Sequence, residues 1–283
     1  MRGTKASSEN KIGESAQRTA LLQLVNARKT FGAGRSAVTA VDRFSLSIEP
    51  REFVTVIGPS GCGKSTLFNM IAGLHAPDDA NSLLWRGEPQ PGGSMLGKVS
   101  FMPQRDLLFS WRTVIDNAIL ALEVEGTPRR EAREKAAGLF HEFGLAGFEQ
   151  HYPHQLSGGM RQRVALMRTF LFERDLILLD EPFGALDALT RSMMQKWLLD
   201  IWNRHKRTVL FITHDIDEAI FLGDRVVVMT ARPGTIACKE TIRLPRPRDM
   251  DVVTTPEFMK VKRKLLAILE EESLKTFGGK QMP

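Results

Sequence analysis

The sequence predicts an α/β fold with a mostly parallel sheet, and three observations lead there. Short β-rich apolar runs alternate with helix-patterned stretches along much of the chain. One of those runs, residues 53–57, passes directly into a Gly-rich turn and then into a helical stretch. Residues 105–165 lose the β signal and show helical spacing instead, which marks an insertion.

Taken in order, the first strands are expected over 22–29 and 44–48. The run 53–57 is apolar almost throughout, as a strand buried on both faces is. A helix is expected over 64–74 and a short strand over 99–102. Within the insertion, 113–124 and 128–143 place Arg and Glu opposite an apolar stripe. Pro128 suits a first helical turn there, and Gly144 a helix end. The β pattern returns at 176–179, 209–213 and 225–230, with a helix over 188–204. After Pro233 the chain turns Pro- and Arg-rich, and 256–274 reads as an amphipathic helix. Residues 1–20 are polar and unpatterned and are expected to be disordered. The organisation is therefore a tail (1–20), a main domain (21–245) interrupted at 105–165, and a C-terminal extension (246–283).

The 283 residues are 42% hydrophobic and 25% charged, enough to fill a sizeable core and unlike a fibrous or disordered chain. Cys62 and Cys238 stand alone, with no CxxC pair, so neither a zinc site nor a disulfide framework is expected. No stretch approaches the roughly 18 apolar residues of a membrane span. The basic N-terminus lacks the apolar stretch of a secretory signal. The net charge is +6, and residues 1–35 hold seven basic and two acidic side chains. No aromatics interleave them, so they read as a solvated segment, and no nucleic-acid partner is expected.

The chemistry lies in three motifs. Gly58, Pro59, Ser60, Gly61, Cys62, Gly63, Lys64, Ser65 and Thr66 match GxxxxGK[ST] between a predicted strand and a predicted helix. Its glycines let successive N–H groups curl toward phosphate oxygens, and the helix start adds positive potential. Lys64 suits the β- and γ-phosphates, and the Ser65 hydroxyl suits Mg²⁺. In 176–182 (LILLDEP), buried aliphatics deliver Asp180 and Glu181 at a strand end. Asp180 suits Mg²⁺ through its water shell, and Glu181 suits proton acceptance from an attacking water. Ser157, Gly158 and Gly159 open another helix and form a second anion site, which hints at a partner chain.

Leu156-Ser-Gly-Gly beside the other two motifs resembles the signature of ATP-binding cassette (ABC) ATPases. The resemblance spans about residues 21–245. It implies a P-loop NTPase with a RecA-like core, an antiparallel β part and an inserted helical subdomain. Gln104 resembles the family's Q-loop glutamine, which touches Mg²⁺. Asp187 lies in a D-loop-like stretch, His214 resembles the switch histidine at the γ-phosphate, and Phe31 stands where an aromatic stacks on adenine. Arg51 departs from the pattern, which usually has Gly in a tight turn there.

The stretch 107–114 (LLFSWRTV) followed by Asn117 is similar to the nitrate/sulfonate/taurine importer group, with Ser110 in place of the usual Pro. The segments 231–234 and 244–248 are also typical of it, and hydroxymethylpyrimidine-type importers share much of the pattern. The resemblance implies a peripheral ATPase subunit on the cytoplasmic face of the cell membrane, using ATP and Mg²⁺. Two copies would sandwich the nucleotide, integral membrane permease subunits would be separate chains, and a solute-binding protein would act upstream. Trp111 is expected on an exposed surface that receives a helix of the membrane subunit. The alternative is a non-transport ABC ATPase acting on nucleic acid. It fits poorly, because Lys64 and Asp180 are only 116 positions apart, with no heptads between them.

Overall fold

The computed structural model describes residues 20–90 and 95–278, with side chains to 275. Of the expected N-terminal tail, 1–19 lies outside the described residues, and Ala20 is buried. The chain opens with two antiparallel strands, β1 (Leu22–Phe31) and β2 (Val38–Ile48). Next come β3 (Phe53–Ile57), α1 (Lys64–Ile71), the short β4 (Leu83–Trp85) and β5 (Glu88–Pro89), and β6 (Val99–Met102). Four helices follow: α2 (Val114–Ala118), α3 (Leu120–Val124), α4 (Arg129–Glu142) and α5 (Gly158–Leu171). The core resumes with β7 (Leu176–Asp180), α6 (Ala188–His205), β8 (Thr208–Ile212), α7 (Ile216–Leu222), β9 (Arg225–Met229), β10 (Ile236–Thr241) and α8 (Pro256–Gly278).

Two sheets result. One is antiparallel, in the order β2-β1-β4-β5. The other runs β10-β9-β3-β8-β7-β6 and is parallel except for β10. Alternation along its central strands explains their unbroken apolar runs. Val54, Val56, Leu176, Leu178, Leu210 and Ile212 enter the core shared with α1 and the antiparallel sheet. Phe53, Ile57, Ile177, Leu179, Val209 and Phe211 enter the core shared with the helices. Both faces are covered, so polar residues in these strands are confined to the ends, Asp180 and Thr208, and to Thr55, whose hydroxyl bonds the Ala219 carbonyl at 3.1 Å.

Several elements differ from expectation. The helix over 64–74 stops at Ile71, because Gly73 turns to φ +77° and brings the Leu74 N–H back to the Asn69 carbonyl. The stretch 113–124 is two short helices around Ile119, although i→i−4 bonds at Ile119 and Glu123 run through the junction. Asp116 joins α2 to α4 by ion pairs to Arg129 at 2.5 Å and Arg133 at 2.6 Å, which hold its carboxyl below the usual range against the opposing effect of burial. Strands β4, β5 and β10 and helix α7 carry no pattern long enough to announce them. Arg51 adopts φ +65°, the tight-turn geometry for which glycine is the easy choice.

Candidate functional site

Four parallel neighbours, in the spatial order β3-β8-β7-β6, deliver the expected site residues at one edge of the sheet. The loop 58–63 follows β3, His214 follows β8, Asp180 and Glu181 end β7, and Gln104 follows β6. The strand ends are level: Val56 pairs with Ile212, Ile212 with Asp180, and Leu179 with Met102. This is the carboxyl edge, where open parallel sheets place their ligands.

The loop is held tightly. Gly63 sits at φ +108°, and a Cβ there would meet the Ala40 carbonyl at 2.6 Å, so only glycine lets the loop close on β2. The Lys64 ammonium, itself buried, donates to the carbonyls of Gly58 at 2.8 Å and Pro59 at 3.0 Å. The Cys62 side chain is buried and its thiol is pushed up in pKa mainly by that burial, so Cys62 can offer a ligand only its main chain. Ser60, Gly61, Gly63, Lys64, Ser65, Thr66, Gln104 and Glu181 line one cleft of about 360 Å³.

Two carboxylates stand at the end of β7: Glu181 lines the cleft, and Asp180 lies behind Ser65. Asp180 is 7% exposed and accepts a hydrogen bond from Ser65. Burial first, and then the neighbouring Glu181, push its pKa up to about 6. A cation beside Asp180 and Ser65 would relieve both effects. These are hard oxygen donors, fit for Mg²⁺. Asp180 and Ser65 together supply two oxygen donors at this point. That suits an ion which keeps several waters and phosphate oxygens. Glu181 sits at φ +45°, a strained setting for a non-glycine residue, and its N–H is anchored to the Ile212 carbonyl at 3.0 Å. Its Oε2 accepts from Gln104 Nε2 at 3.2 Å and lies 3.3 Å from His214 Nδ1.

The remaining expected residues are elsewhere. Ser157 caps α5 through a bond from the Met160 N–H, with Gly158 exposed and Gly159 half-buried beside it. Asp187 caps α6 by accepting from the Thr190 N–H at 3.0 Å, which lowers its pKa. Neither cap lines the cleft around Lys64. Phe31 ends β1, half-exposed, with its ring edge-on to His75 at 5.5 Å.

Sequence reasoning missed Arg232 and Ala40, which also line the cleft. Arg232 Nε donates to the Gly61 carbonyl at 3.2 Å. Its loop is stitched to β2 by bonds between Gly234 and both Ala40 and Asp42. A Cβ at Gly234 would meet the Cys62 carbonyl at 2.2 Å, so the segment 231–234 held a signal for this approach. Behind His214, buried Glu218 accepts from Gln195 at 3.0 Å, and burial pushes its pKa up to about 7.

The sequence profile of the ABC transporter family matches residues 41–184. The ABC transporter ATP-binding protein MJ0412 of Methanocaldococcus jannaschii is 46% identical over 255 residues, 90% of this chain and 93% of that protein. This chain belongs to the ABC transporter family. It is an ATP-hydrolysing cassette of that family. The taurine import ATP-binding protein TauB of Rhizobium johnstonii is 42% identical over 257 residues, covering 88% of the cassette and 96% of that protein. The formylaminopyrimidine import ATP-binding protein ThiZ of Halalkalibacterium halodurans is 39% identical over 242 residues, covering 85% and 94%. Among solved structures, the dimeric bacterial ABC transporter cassette MJ0796 superposes with a TM-score of 0.67 at 30% identity, over 79% of this cassette and all of that chain. A second structure of the same protein, in a post-hydrolysis state with ADP and Pi, gives a TM-score of 0.66 at 29% identity with the same coverage.

Proposed function

We propose that the cassette drives import of a small solute of the sulfonate/taurine or pyrimidine-precursor kind, as a homodimer seated peripherally on the cytoplasmic face of membrane permease subunits. The observation that carries this reading is the convergence of Lys64, Ser65, Gln104, Asp180, Glu181 and His214 at one sheet edge. The relatives named for taurine and formylaminopyrimidine import support the solute class.

In this reading the N–H groups of 60–66 and the Lys64 ammonium bind the triphosphate. Mg²⁺, when held by Ser65 and Asp180 with Gln104 beside them, supplies charge neutralisation at the phosphates. Glu181 accepts the proton of the attacking water, while Gln104 and His214 hold its Oε2 in place. Phe31 offers its exposed face to adenine. Ser157, Gly158, Gly159 and Asp187 belong to the site of the opposite copy, because both caps lie away from the cleft of their own chain. Binding would close the dimer and hydrolysis reopen it.

The test is uptake of labelled taurine, an alkanesulfonate and formylaminopyrimidine by cells that express the cassette with its permease and solute binder. Uptake of one solute that disappears in Lys64→Ala is the expected result. Absence of uptake for all three, in cells where the assembled complex hydrolyses ATP, contradicts the solute class.

A further inference from the structure

At the opposite, amino edge of the parallel sheet lies a second cleft of about 530 Å³. Arg51, Arg86, Asp175, Lys206, Arg207 and Thr208 line it. With Leu21, Pro50 and His205 the lining comes to nine residues, four of them Arg or Lys. Arg86 pairs with Asp175 at 2.5 Å, and the Lys206 ammonium rests 3.1 Å from Asn203 Oδ1 and 4.4 Å from the centre of the Trp202 ring. The guanidinium groups of Arg51 and Arg207 have no ion-pair partner among the described residues. Positive charge therefore exceeds negative charge in a concave space.

The backbone at this cleft adds an independent observation. Arg51, Arg86 and Lys206 all adopt left-handed φ, at +65°, +53° and +50°. Each holds a position that another residue type fills with less strain. Arg51 sits in the tight turn before β3. Arg86 precedes Gly87 in the two-residue turn between β4 and β5, where both residues have positive φ and Asn-Gly is the favoured pair. Lys206 caps the C-terminus of α6, where glycine is the common choice. Three strained cations thus converge on one cleft. Nothing in the turns themselves requires a cation, so the strain at these three positions motivates a functional hypothesis for the charges they carry.

We infer that this cleft binds a multivalent oxyanion of the phosphate or sulfate class, at a site separate from the nucleotide. The forked donors of Arg51 and Arg207 match two oxygens of such an anion. The Thr208 hydroxyl, which accepts from the Arg51 N–H at 2.9 Å, keeps its own proton to donate. The site bridges the starts of β3, β7 and β8, so an occupant would tie the amino edge of the sheet together.

The test is thermal unfolding of the full chain without nucleotide, at constant ionic strength, with chloride replaced by about 20 mM inorganic phosphate or sulfate. A Lys64→Ala background weakens anion binding at the phosphate loop. The expected result is a rise in Tm of roughly 2 °C or more in that background, which disappears in Arg51→Gly and in Arg207→Gln. Arg51→Gly should also raise the basal Tm by roughly 2 °C, because it relieves the left-handed strain. A merely structural Arg51 would lower the basal Tm and leave the anion response intact. Pelleting with phosphatidylglycerol but not phosphatidylcholine vesicles, abolished by the same substitutions and without a response to free anion, would assign the site to lipid headgroups. No response in any arm, or a response that survives both substitutions, overturns the inference.

Discussion

His214 Nδ1 stands 3.3 Å from Glu181 Oε2, although the two residues leave the sheet from different strands. Ile212, two residues before His214, pairs with Asp180 and accepts the Glu181 N–H, so the register of β7 and β8 sets this distance. Gln104 reaches the same oxygen from β6. The carboxylate is thereby gripped from two sides while its main chain is held at positive φ.

If Glu181 takes the proton of the attacking water, Glu181→Gln keeps the grip and loses the base. Turnover should fall by about 100-fold or more, with ATP affinity within a few-fold of the parent. Single-turnover hydrolysis with nucleotide-binding titrations checks this, and an ATP-bound dimer should accumulate on a sizing column. Turnover at the parent rate would remove Glu181 from the chemistry.

Asp180 and Ser65 make a different prediction. Asp180→Asn removes a buried charge whose pKa is raised to about 6, so the free chain should become more resistant to urea. The same change should remove the additional stabilisation that Mg²⁺ gives to the ATP-bound protein. Equal Mg²⁺ dependence in parent and variant would contradict the assignment.

Glu218 predicts a pH dependence. Burial raises its pKa from 4.5 to about 7 in the folded chain. Between those values the folded state holds a proton that the unfolded state has released, so stability falls as pH rises through that window. The contribution is on the order of 3 kcal/mol at most. Urea unfolding across the window should show this slope, and Glu218→Gln should reduce it, leaving below about pH 6 the part that Asp180 contributes.

Trp111 is 72% exposed and stacks on Phe109 with ring centres 4.9 Å apart. With Leu107 it forms an apolar surface a few residues beyond Gln104. Trp111→Ala should leave the ATPase rate of the isolated cassette unchanged and weaken its assembly with the permease several-fold. Normal assembly and uptake would remove this surface from the interface.

Much of this was legible in the sequence because the strongest signals are local. Gly58 to Thr66 must be contiguous to cradle a phosphate, and the apolar runs of β3, β7 and β8 follow from burial on both faces. The convergence of His214 and Gln104 on Glu181 depends on strand order, which no local pattern encodes. The resemblance placed Gln104 at Mg²⁺ and His214 at the γ-phosphate, and their contacts to Glu181 come from the structure. Arg232 was hidden for the same reason, since its approach to Gly61 runs through main-chain bonds between Gly234 and β2. Short elements such as β5 and α7 depend on tertiary partners more than on propensity.

The central claim is that each ATP site is shared between two copies, and mixing two crippled variants tests it most directly. Lys64→Ala damages the phosphate loop, and Ser157→Arg blocks the second anion site. Each homodimer then carries two damaged sites. In a heterodimer with shared sites, one site collects both lesions and the other is intact, so about one nucleotide should be occluded per heterodimer. If demonstrably formed heterodimers of folded chains occlude no more nucleotide than either variant alone, the shared site is contradicted.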